Sequence, residues 1–168
     1  APAQAQAAGG LPVLARGGGT SQCGQTTGEA LIVDQSKYLR RVLAVDADAM
    51  TAEVEPGIVL DRLNAYLRPH GLWFPVDVST AAQATIGGMA GNNSCGSRSI
   101  AYGNMVHNVL AIDAILADGT EARFGPEREM NGAPPRVAEL LRGLCAIGER
   151  EHDEVERTVP KVLRRVGG

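Results

Sequence analysis

Several residue types are scarce in this chain, and each shortage excludes a class of function. Aromatic residues make up only 4% of the sequence, too few for a surface that stacks single-stranded nucleic acid. The net charge is −3, so no strong positive field attracts nucleic acid or an anionic membrane. No apolar run reaches the roughly 18 residues of a membrane-spanning helix. We therefore expect no nucleic-acid partner and no transmembrane segment.

Cysteine is also scarce. Cys23, Cys95 and Cys145 lie far apart and form no C-x-x-C pair, which speaks against a disulfide framework and against a zinc or iron–sulfur site here. No Ser-His-Asp set and no pair of carboxylates stands out, so the sequence assigns no catalytic residue and no metal ligand. Reduced thiols predict a cytoplasmic location, with a peripheral position at the inner membrane face as a variant. The missing initial methionine and the abrupt end lead us to expect native neighbours on both sides.

Glycine, by contrast, is abundant, with 21 residues in the chain, and nine of them lie in two segments. In residues 12–27 (PVLARGGGTSQCGQTT), three glycines directly follow an apolar strand. Their N–H groups can form an anion-binding nest, to which Thr20 and Ser21 add hydroxyls. No helix pattern and no Gly-Lys-Ser/Thr follows, which excludes a Rossmann fingerprint and a Walker loop. We expect a phosphate-binding loop in which a side chain at Gly18 would occupy the phosphate position; a flexible turn is the alternative.

The second segment covers residues 75–109, which is long for a plain loop in a compact domain. Its residues are mostly small and apolar, with some amides, so its backbone could lie closely along a large planar or extended ligand. A disordered linker is the alternative, but Ile86, Met89, Ile100, Tyr102 and Met105 argue against it. Two glycine-rich segments in one chain favour a ligand site. Trp73 and Phe74, just before the segment, are expected in the core.

Periodicity and turn residues predict an α+β architecture with a hairpin-rich, mostly antiparallel sheet. The predicted elements are a helix at 2–8, strands at 12–15, 30–33, 41–46 and 50–55, a helix from 60 to Gly71, strands at 109–116 and 120–124, and a helical stripe at 137–147 followed by a charged helix or linker at 149–157. Asp118-Gly119 is a hairpin turn. No regular βαβ alternation is present.

Several short motifs then occur in an order that resembles a known family. They are residues 12–21, VEPG at 54–57, PVDVST at 75–80, IGG at 86–88, GNN at 91–93, YG at 102–103 and ADG at 117–119. Together they resemble the FAD-binding domain of the vanillyl-alcohol-oxidase and p-cresol-methylhydroxylase (PCMH) type. The most similar branch is the FAD-linked D-2-hydroxyacid dehydrogenases: the glycolate oxidase FAD subunit, D-lactate dehydrogenase and D-2-hydroxyglutarate dehydrogenase. CGQ at 23–25 and NNSCGS at 92–97 resemble the large bacterial members that are fused to iron–sulfur modules.

The resemblance implies a FAD-binding type 2 (PCMH-type) fold of two α/β subdomains, with FAD between them and a mostly antiparallel second sheet. Residues 1–125 would form this domain without its N-terminal strands, and residues 126–168 a helical extension towards an absent substrate domain, so the fold would be truncated at both ends. The residues implied to bind the cofactor are Arg16, Gly17, Gly18, Gly19, Thr20, Ser21, Pro75, Asp77, Ser79, Thr80, Ile86, Gly87, Gly88, Gly91, Asn92, Asn93, Gly96, Tyr102, Gly103 and Val109. Thr20 stands where covalently flavinylated members carry histidine, which implies non-covalent FAD.

The implied activity is that of a FAD-dependent oxidoreductase acting on CH–OH groups. A D-2-hydroxy acid such as lactate, glycolate or 2-hydroxyglutarate would be oxidised to the 2-oxo acid by hydride transfer to flavin N5. The electrons would pass to a quinone, a cytochrome or iron–sulfur clusters in missing downstream domains, and the fragment alone would be inactive. The alternatives are the FAD domain of a sugar or aldonolactone oxidase or of an enolpyruvyl-sugar reductase, and a non-catalytic nucleotide-binding module.

Overall fold

A computed structural model describes residues 10–126 and 132–162 of the chain. The described residues divide into two compact units, one ending at Val109 and the other beginning at Leu110. Helices and small sheets are mixed in the chain, which confirms the predicted α+β architecture. The predicted helix at residues 2–8 lies outside the described residues.

Four strands of the first unit form two separate pairs. Strands β1 (Val13–Arg16) and β2 (Leu31–Asp34) run parallel, with Val13 opposite Leu31 and Arg16 opposite Asp34. Strands β3 (Val42–Asp46) and β4 (Thr51–Val54) form the predicted antiparallel hairpin. At its turn, the Asp46 carboxylate accepts the backbone N–H of Ala49 at 2.9 Å, as turn-forming aspartates commonly do. The sequence predicted the hairpin but not the parallel pair.

Helix α1 (Leu60–Leu67) follows the Pro56-Gly57 corner and buries Leu60, Leu63 and Leu67, as their spacing predicts. A short 3₁₀ turn, Arg68–His70, extends it. Gly71 then ends the element in the left-handed conformation, at φ 71°. Three short helices follow inside the second glycine-rich segment: α2 (Ile86–Gly91), α3 (Ser99–Tyr102) and α4 (Met105–Asn108).

The core of the first unit is built largely from the second glycine-rich segment. One buried cluster contains Leu60 of α1 together with Val76, Ala84, Met89 and Met105. A second contains Ile58, Leu63 and Leu67, and Phe74 and Ile86 pack against both clusters. Full burial of such a side chain stabilises a fold by about 1.5–3 kcal/mol. Residues 75–109 therefore belong to the folded core, which confirms that they are not a disordered linker.

Over the described residues from Leu110 onward, the second unit contains one hairpin and one long helix. Strands β5 (Ile112–Ile115) and β6 (Glu121–Phe124) pair antiparallel around the predicted turn at residues 118–119. Helix α5 (Pro135–Thr158) is continuous, so the charged residues 149–157 are helix. Ala122 and Val137 are buried, and Arg136 pairs with Asp118 at 3.5 Å. Among the described helices, none combines the length and the apolar character that a bilayer crossing needs.

Candidate functional site

The first glycine loop lies directly against residues 83–88. A Cβ added to Gly17 would overlap the side-chain oxygen of Thr85, and one added to Gly18 would overlap the carbonyl oxygen of Gln83. The absence of side chains at both positions therefore allows two backbone segments to touch. The structure brings together glycine-rich segments that are more than sixty residues apart in the sequence. A side chain at Gly18 would point at Gln83, so our assignment of that space to phosphate is wrong.

Gly19 is required for a different reason. Its φ is 65°, the left-handed region that glycine enters at low cost. A Cβ there would lie 2.6 Å from a terminal guanidinium nitrogen of Arg16, so the arginine side chain folds back across the loop. Thr20 and Ser21 follow, both half-buried, and the Ser21 hydroxyl accepts a hydrogen bond from the Gln25 amide. Arg16 thus braces the loop and leaves a cationic group beside it.

Residues 81–87 are held from the other side by the Pro56 corner and the start of α1. The backbone bonds run from Leu60 N–H to Ala84 O (3.0 Å), Asp61 N–H to Ala81 O (3.1 Å), Ile86 N–H to Ile58 O (2.9 Å) and Gly87 N–H to Pro56 O (2.7 Å). A Cβ on Gly87 would lie 2.5 Å from Cβ of Pro56. This stretch is therefore fixed between the first glycine loop and the corner.

The corner is itself anchored by Glu55, which is buried at the end of β4. Its carboxylate accepts the backbone N–H of Arg41 at 2.7 Å and two guanidinium N–H groups of the same residue at 2.7 and 3.0 Å. These hydrogen bonds from Arg41 hold the pKa of Glu55 below its usual value. Next to it, Gly57 donates its N–H to the Leu39 carbonyl at 2.6 Å. The VEPG motif thus anchors the corner to which residues 81–87 are hydrogen-bonded.

Thr85 is a site residue that the sequence analysis missed. It is 1% exposed and is the N-cap of α2, where its hydroxyl oxygen accepts the Gly88 N–H at 3.3 Å. It also faces Gly17. Threonine directly before Ile86-Gly87-Gly88-Met89 is a helix-start signal, but the glycines after it hid the short helix.

The carboxylate of Asp77, a residue predicted to line the cofactor, accepts hydrogen bonds from its own chain. One carboxylate oxygen accepts the Arg98 N–H at 2.9 Å, and the other accepts the Ser97 hydroxyl at 2.6 Å. Arg98 also approaches the carboxylate with its guanidinium at 3.6 Å. Burial works to raise the pKa of Asp77, but these hydrogen bonds and the Arg98 charge together lower it. A Cβ on Gly96 would overlap Asp77, so Asp77 and Gly96 form one turn.

The end of the segment, residues 93–109, is held by side-chain to backbone bonds. Asn93, at φ 42°, accepts the Val106 N–H at 3.0 Å. The Asn104 N–H donates to Nδ1 of His107 at 3.0 Å, and the Asn108 amide donates to the Asn104 carbonyl at 2.8 Å. A Cβ on Gly103, at φ 81°, would lie 2.8 Å from the His107 ring. His107 therefore has a structural partner in Asn104, the N-cap of its own helix.

The remaining predicted residues are spread around these contacts. Pro75, Thr80 and Val109 are half-buried, whereas Ser79, Gly91 and Asn92 are exposed. Tyr102 contacts Trp73 edge-on, with ring centroids 5.2 Å apart. Trp73 is 42% exposed, so its expected place in the core is wrong, while Phe74 packs against both buried clusters.

Comparison with known proteins assigns these loops to a family. The family model described as the FAD binding domain matches residues 3–125. D-2-hydroxyglutarate dehydrogenase of Pseudomonas putida is 34% identical over 158 residues, covering 91% of this chain and 16% of that protein. Glycolate oxidase subunit GlcD of Bacillus subtilis is 36% identical over 117 residues, covering 68% of this chain and 25% of that protein. The chain thus spans a quarter or less of the length of these relatives.

Solved structures show the same fold at low sequence identity. 6-Hydroxy-D-nicotine oxidase from Arthrobacter nicotinovorans matches with a TM-score of 0.65 and 20% identity, over 74% of this chain and 27% of that one. An alkyldihydroxyacetonephosphate synthase matches with a TM-score of 0.64 and 22% identity, over 76% of this chain and 24% of that one. The family match over residues 3–125 and the agreement of the fold together show that this chain belongs to the FAD binding domain family.

Proposed function

We propose that this chain is the FAD-holding part of a flavin-dependent oxidoreductase that oxidises a D-2-hydroxy acid to the 2-oxo acid. The observation that carries the proposal is the backbone contact between the two glycine segments, Gly17-Gly18 against residues 83–88, inside a family of FAD-binding domains. The substrate class rests on relatives named as D-2-hydroxyglutarate dehydrogenase, D-lactate dehydrogenase and a glycolate oxidase subunit.

The residues of the first loop fit a dinucleotide diphosphate. Gly17 to Gly19 present backbone without side chains, Arg16 places a cation against them, and Thr20 and Ser21 add hydroxyls. Backbone amides and hydroxyls are the usual donors to phosphate oxygens, and a nearby guanidinium favours the anion. In our proposal these residues hold the diphosphate, and Gly87 and Gly88 form the adjoining wall. We propose that the cofactor is held non-covalently, because Thr20 offers no imidazole for a flavin bond.

Bound FAD would supply the two-electron acceptor, taking hydride from the hydroxyl-bearing carbon. This chain contributes binding and orientation. The Thr85 cap and the Pro56 corner fix residues 85–88 beside the loop, and the Asp77 turn fixes residues 96–98. Pre-organised positions of this kind lower the entropic cost of aligning a cofactor with its substrate. We assign no catalytic base to this chain.

We propose a small hydroxy acid as the substrate and a quinone, a cytochrome or an iron–sulfur module as the electron acceptor. A cytoplasmic location, or a peripheral one at the inner membrane face, agrees with the three cysteines, which are free thiols. One relative is a mitochondrial D-lactate dehydrogenase whose name specifies a cytochrome. This supports an acceptor that is a separate redox carrier.

The cofactor proposal is tested by titrating the flavin-free chain with FAD and, separately, with FMN. We expect saturable quenching of flavin fluorescence by FAD and much weaker binding of FMN, which lacks the diphosphate and the adenosine. Arg16→Gln should weaken FAD binding, whereas Arg40→Gln, at an exposed position on the same unit, should not. A folded chain that binds neither flavin, or binds both equally, would refute the proposal.

The substrate proposal is tested on the gene product that contains this chain, in its full length and loaded with FAD. Under anaerobic conditions, D-lactate, D-2-hydroxyglutarate or the achiral glycolate should bleach the flavin absorbance, whereas L-lactate and L-2-hydroxyglutarate should not. Bleaching only by a sugar, an aldonolactone or NADPH would replace the hydroxy-acid assignment with one of the alternative chemistries. The FAD assignment would then still stand.

A further inference from the structure

A cavity on the first unit is lined by none of the residues predicted to bind the cofactor. It is open to solvent, has a volume of about 440 Å³ and is lined by Asn64, Arg68, Gly71, Leu72, Trp73 and Arg98. We call it the arginine cavity. Its position is set by the end of α1 and by the chain reversal at Gly71.

Local structure brings the two sides of the cavity together. Asn64 and Arg68 are four residues apart along the end of α1 and its 3₁₀ extension, and so share one face. The left-handed Gly71 turns the chain back, and Leu72 donates its N–H to the Leu67 carbonyl at 3.3 Å. On the opposite side, the Arg98 guanidinium lies 5.1 Å from the centre of the Trp73 ring. This cation–π contact fixes the arginine beside the tryptophan.

The polar side chains of the lining offer hydrogen-bond donors. The Asn64 side-chain oxygen already accepts the Phe74 N–H at 2.7 Å, which leaves its NH₂ group to donate. Arginine guanidinium and the tryptophan indole N–H are donors only. Among the described residues, no carboxylate lies within ion-pair distance of Arg68. Arg98 approaches the Asp77 carboxylate at 3.6 Å from its Nε, which is longer than a hydrogen bond.

We propose that the arginine cavity binds a small anion through carboxylate or phosphate oxygens. Such oxygens are acceptors, which match the donors of the lining, and the planar guanidinium binds both groups in a bidentate manner. Arg68 and Arg98 both line this cavity, and only Arg98 has a described carboxylate, that of Asp77, within ion-pair distance, so the charge of Arg68 is not offset there. The inference goes beyond the flavin function, because none of its residues belongs to the proposed FAD set.

The chain carries its own reporter for this site, since Trp73 is its single tryptophan. We would titrate the purified full chain with glutarate and, separately, with inorganic phosphate, at constant ionic strength set with chloride, and record tryptophan fluorescence. A saturable change with either probe supports the proposal. Saturation by glutarate alone identifies carboxylate as the preferred group, and saturation by phosphate alone identifies phosphate. No saturable response to either probe would overturn the proposal.

Two variants localise the binding. Arg68→Gln removes the cation, and Asn64→Asp keeps an oxygen for the Phe74 N–H but replaces the donating amide with a second acceptor. We expect each to weaken binding by about tenfold or more, the scale of one charge-assisted hydrogen bond. Arg62→Gln, on the same helix outside the lining, is the matched control and should bind as the parent does. Equal binding by the parent and both cavity variants, with unchanged far-UV circular dichroism, would refute the assignment. The readout needs no flavin, so it can fail or succeed independently of the proposed function.

Discussion

Replacing Gly18 by alanine tests the contact between the two glycine segments. The added Cβ would overlap the carbonyl oxygen of Gln83 and lie 2.9 Å from its carbonyl carbon. These are backbone atoms of a segment that is hydrogen-bonded to α1 and to the Pro56 corner. Neither side can yield by rotating a side chain, so the two segments must move apart.

The expected cost follows from the size of this overlap. Forcing an extra methyl-sized group into a filled contact typically destabilises a fold by about 1–3 kcal/mol. In a chain of 168 residues, each kcal/mol lowers Tm by roughly 2–4 °C, so the predicted decrease is roughly 2–12 °C. FAD affinity should fall in parallel, because the proposed diphosphate loop is displaced. Thermal unfolding and FAD titration on the same preparation measure both effects.

Gly28→Ala is the matched control. Gly28 lies in the same connection between β1 and β2, its added Cβ would meet nothing within 4 Å, and its φ is outside the left-handed region. We expect it to be neutral, or to raise stability by up to about 1 kcal/mol, because alanine reduces the entropy of the unfolded chain. If the Gly18 and Gly28 variants show the same Tm and the same FAD affinity, the close contact does not exist in solution.

Three further substitutions test the supports of the site. Thr85→Val removes the cap of α2 but keeps its shape, so urea denaturation should show a loss of about 0.5–2 kcal/mol that Thr85→Ser largely restores; equal stability of the two variants would contradict the capping role. The pKa of Glu55 is lowered from 4.5 by Arg41, so the ionised carboxylate adds stability above pH 4.5 that disappears as the pH falls through the lowered pKa. Glu55→Gln should therefore be less stable than the parent at pH 7, with the gap closing in denaturation below pH 4.5; a gap that stays constant with pH would argue against this ion pair. Asp77→Asn weakens the hydrogen bonds that this partly exposed carboxylate accepts, so the free energy of unfolding should fall by about 1–2 kcal/mol and amide exchange at residues 96–98 should become faster. Unchanged exchange at these residues would exclude an anchoring role for Asp77.

The elements that sequence reasoning predicts well are those whose signals are local. The β3–β4 turn forms where Asp46 can accept the Ala49 N–H, and the β5–β6 turn where Asp118 accepts the Thr120 N–H at 2.9 Å. Helix α1 follows from the spacing of its leucines, and its end from a glycine that can adopt positive φ. Each of these structures depends on residues within about one turn of one another, which the sequence displays directly.

The elements that sequence reasoning misses depend on distant partners. Strands β1 and β2 pair in parallel across a long connection, and no pattern within either strand specifies that partner. Helix α2 has the sequence IGGMAG, and each glycine disfavours a helix by about 1 kcal/mol relative to alanine. The helix forms because Thr85 caps it, Met89 is buried beneath it and the carbonyls of Ile58 and Pro56 accept the first N–H groups. Those contacts are tertiary, so they produce no periodic pattern in the sequence.

The motif match identified the first glycine loop. It did not show in which direction a side chain added at Gly17 or Gly18 would point. Because added Cβ atoms at Gly17 and Gly18 would meet residues 83–85, loss of FAD in a Gly18 variant cannot by itself establish contact with phosphate. Thr20→Val separates the two roles, since it removes a hydroxyl of the loop and adds no atom at the contact. We expect weaker FAD binding with Tm of the flavin-free chain unchanged, whereas Gly18→Ala lowers both. If Thr20→Val binds FAD as the parent does, that hydroxyl does not contact the cofactor, and the diphosphate site would then rest on the backbone amides and Arg16.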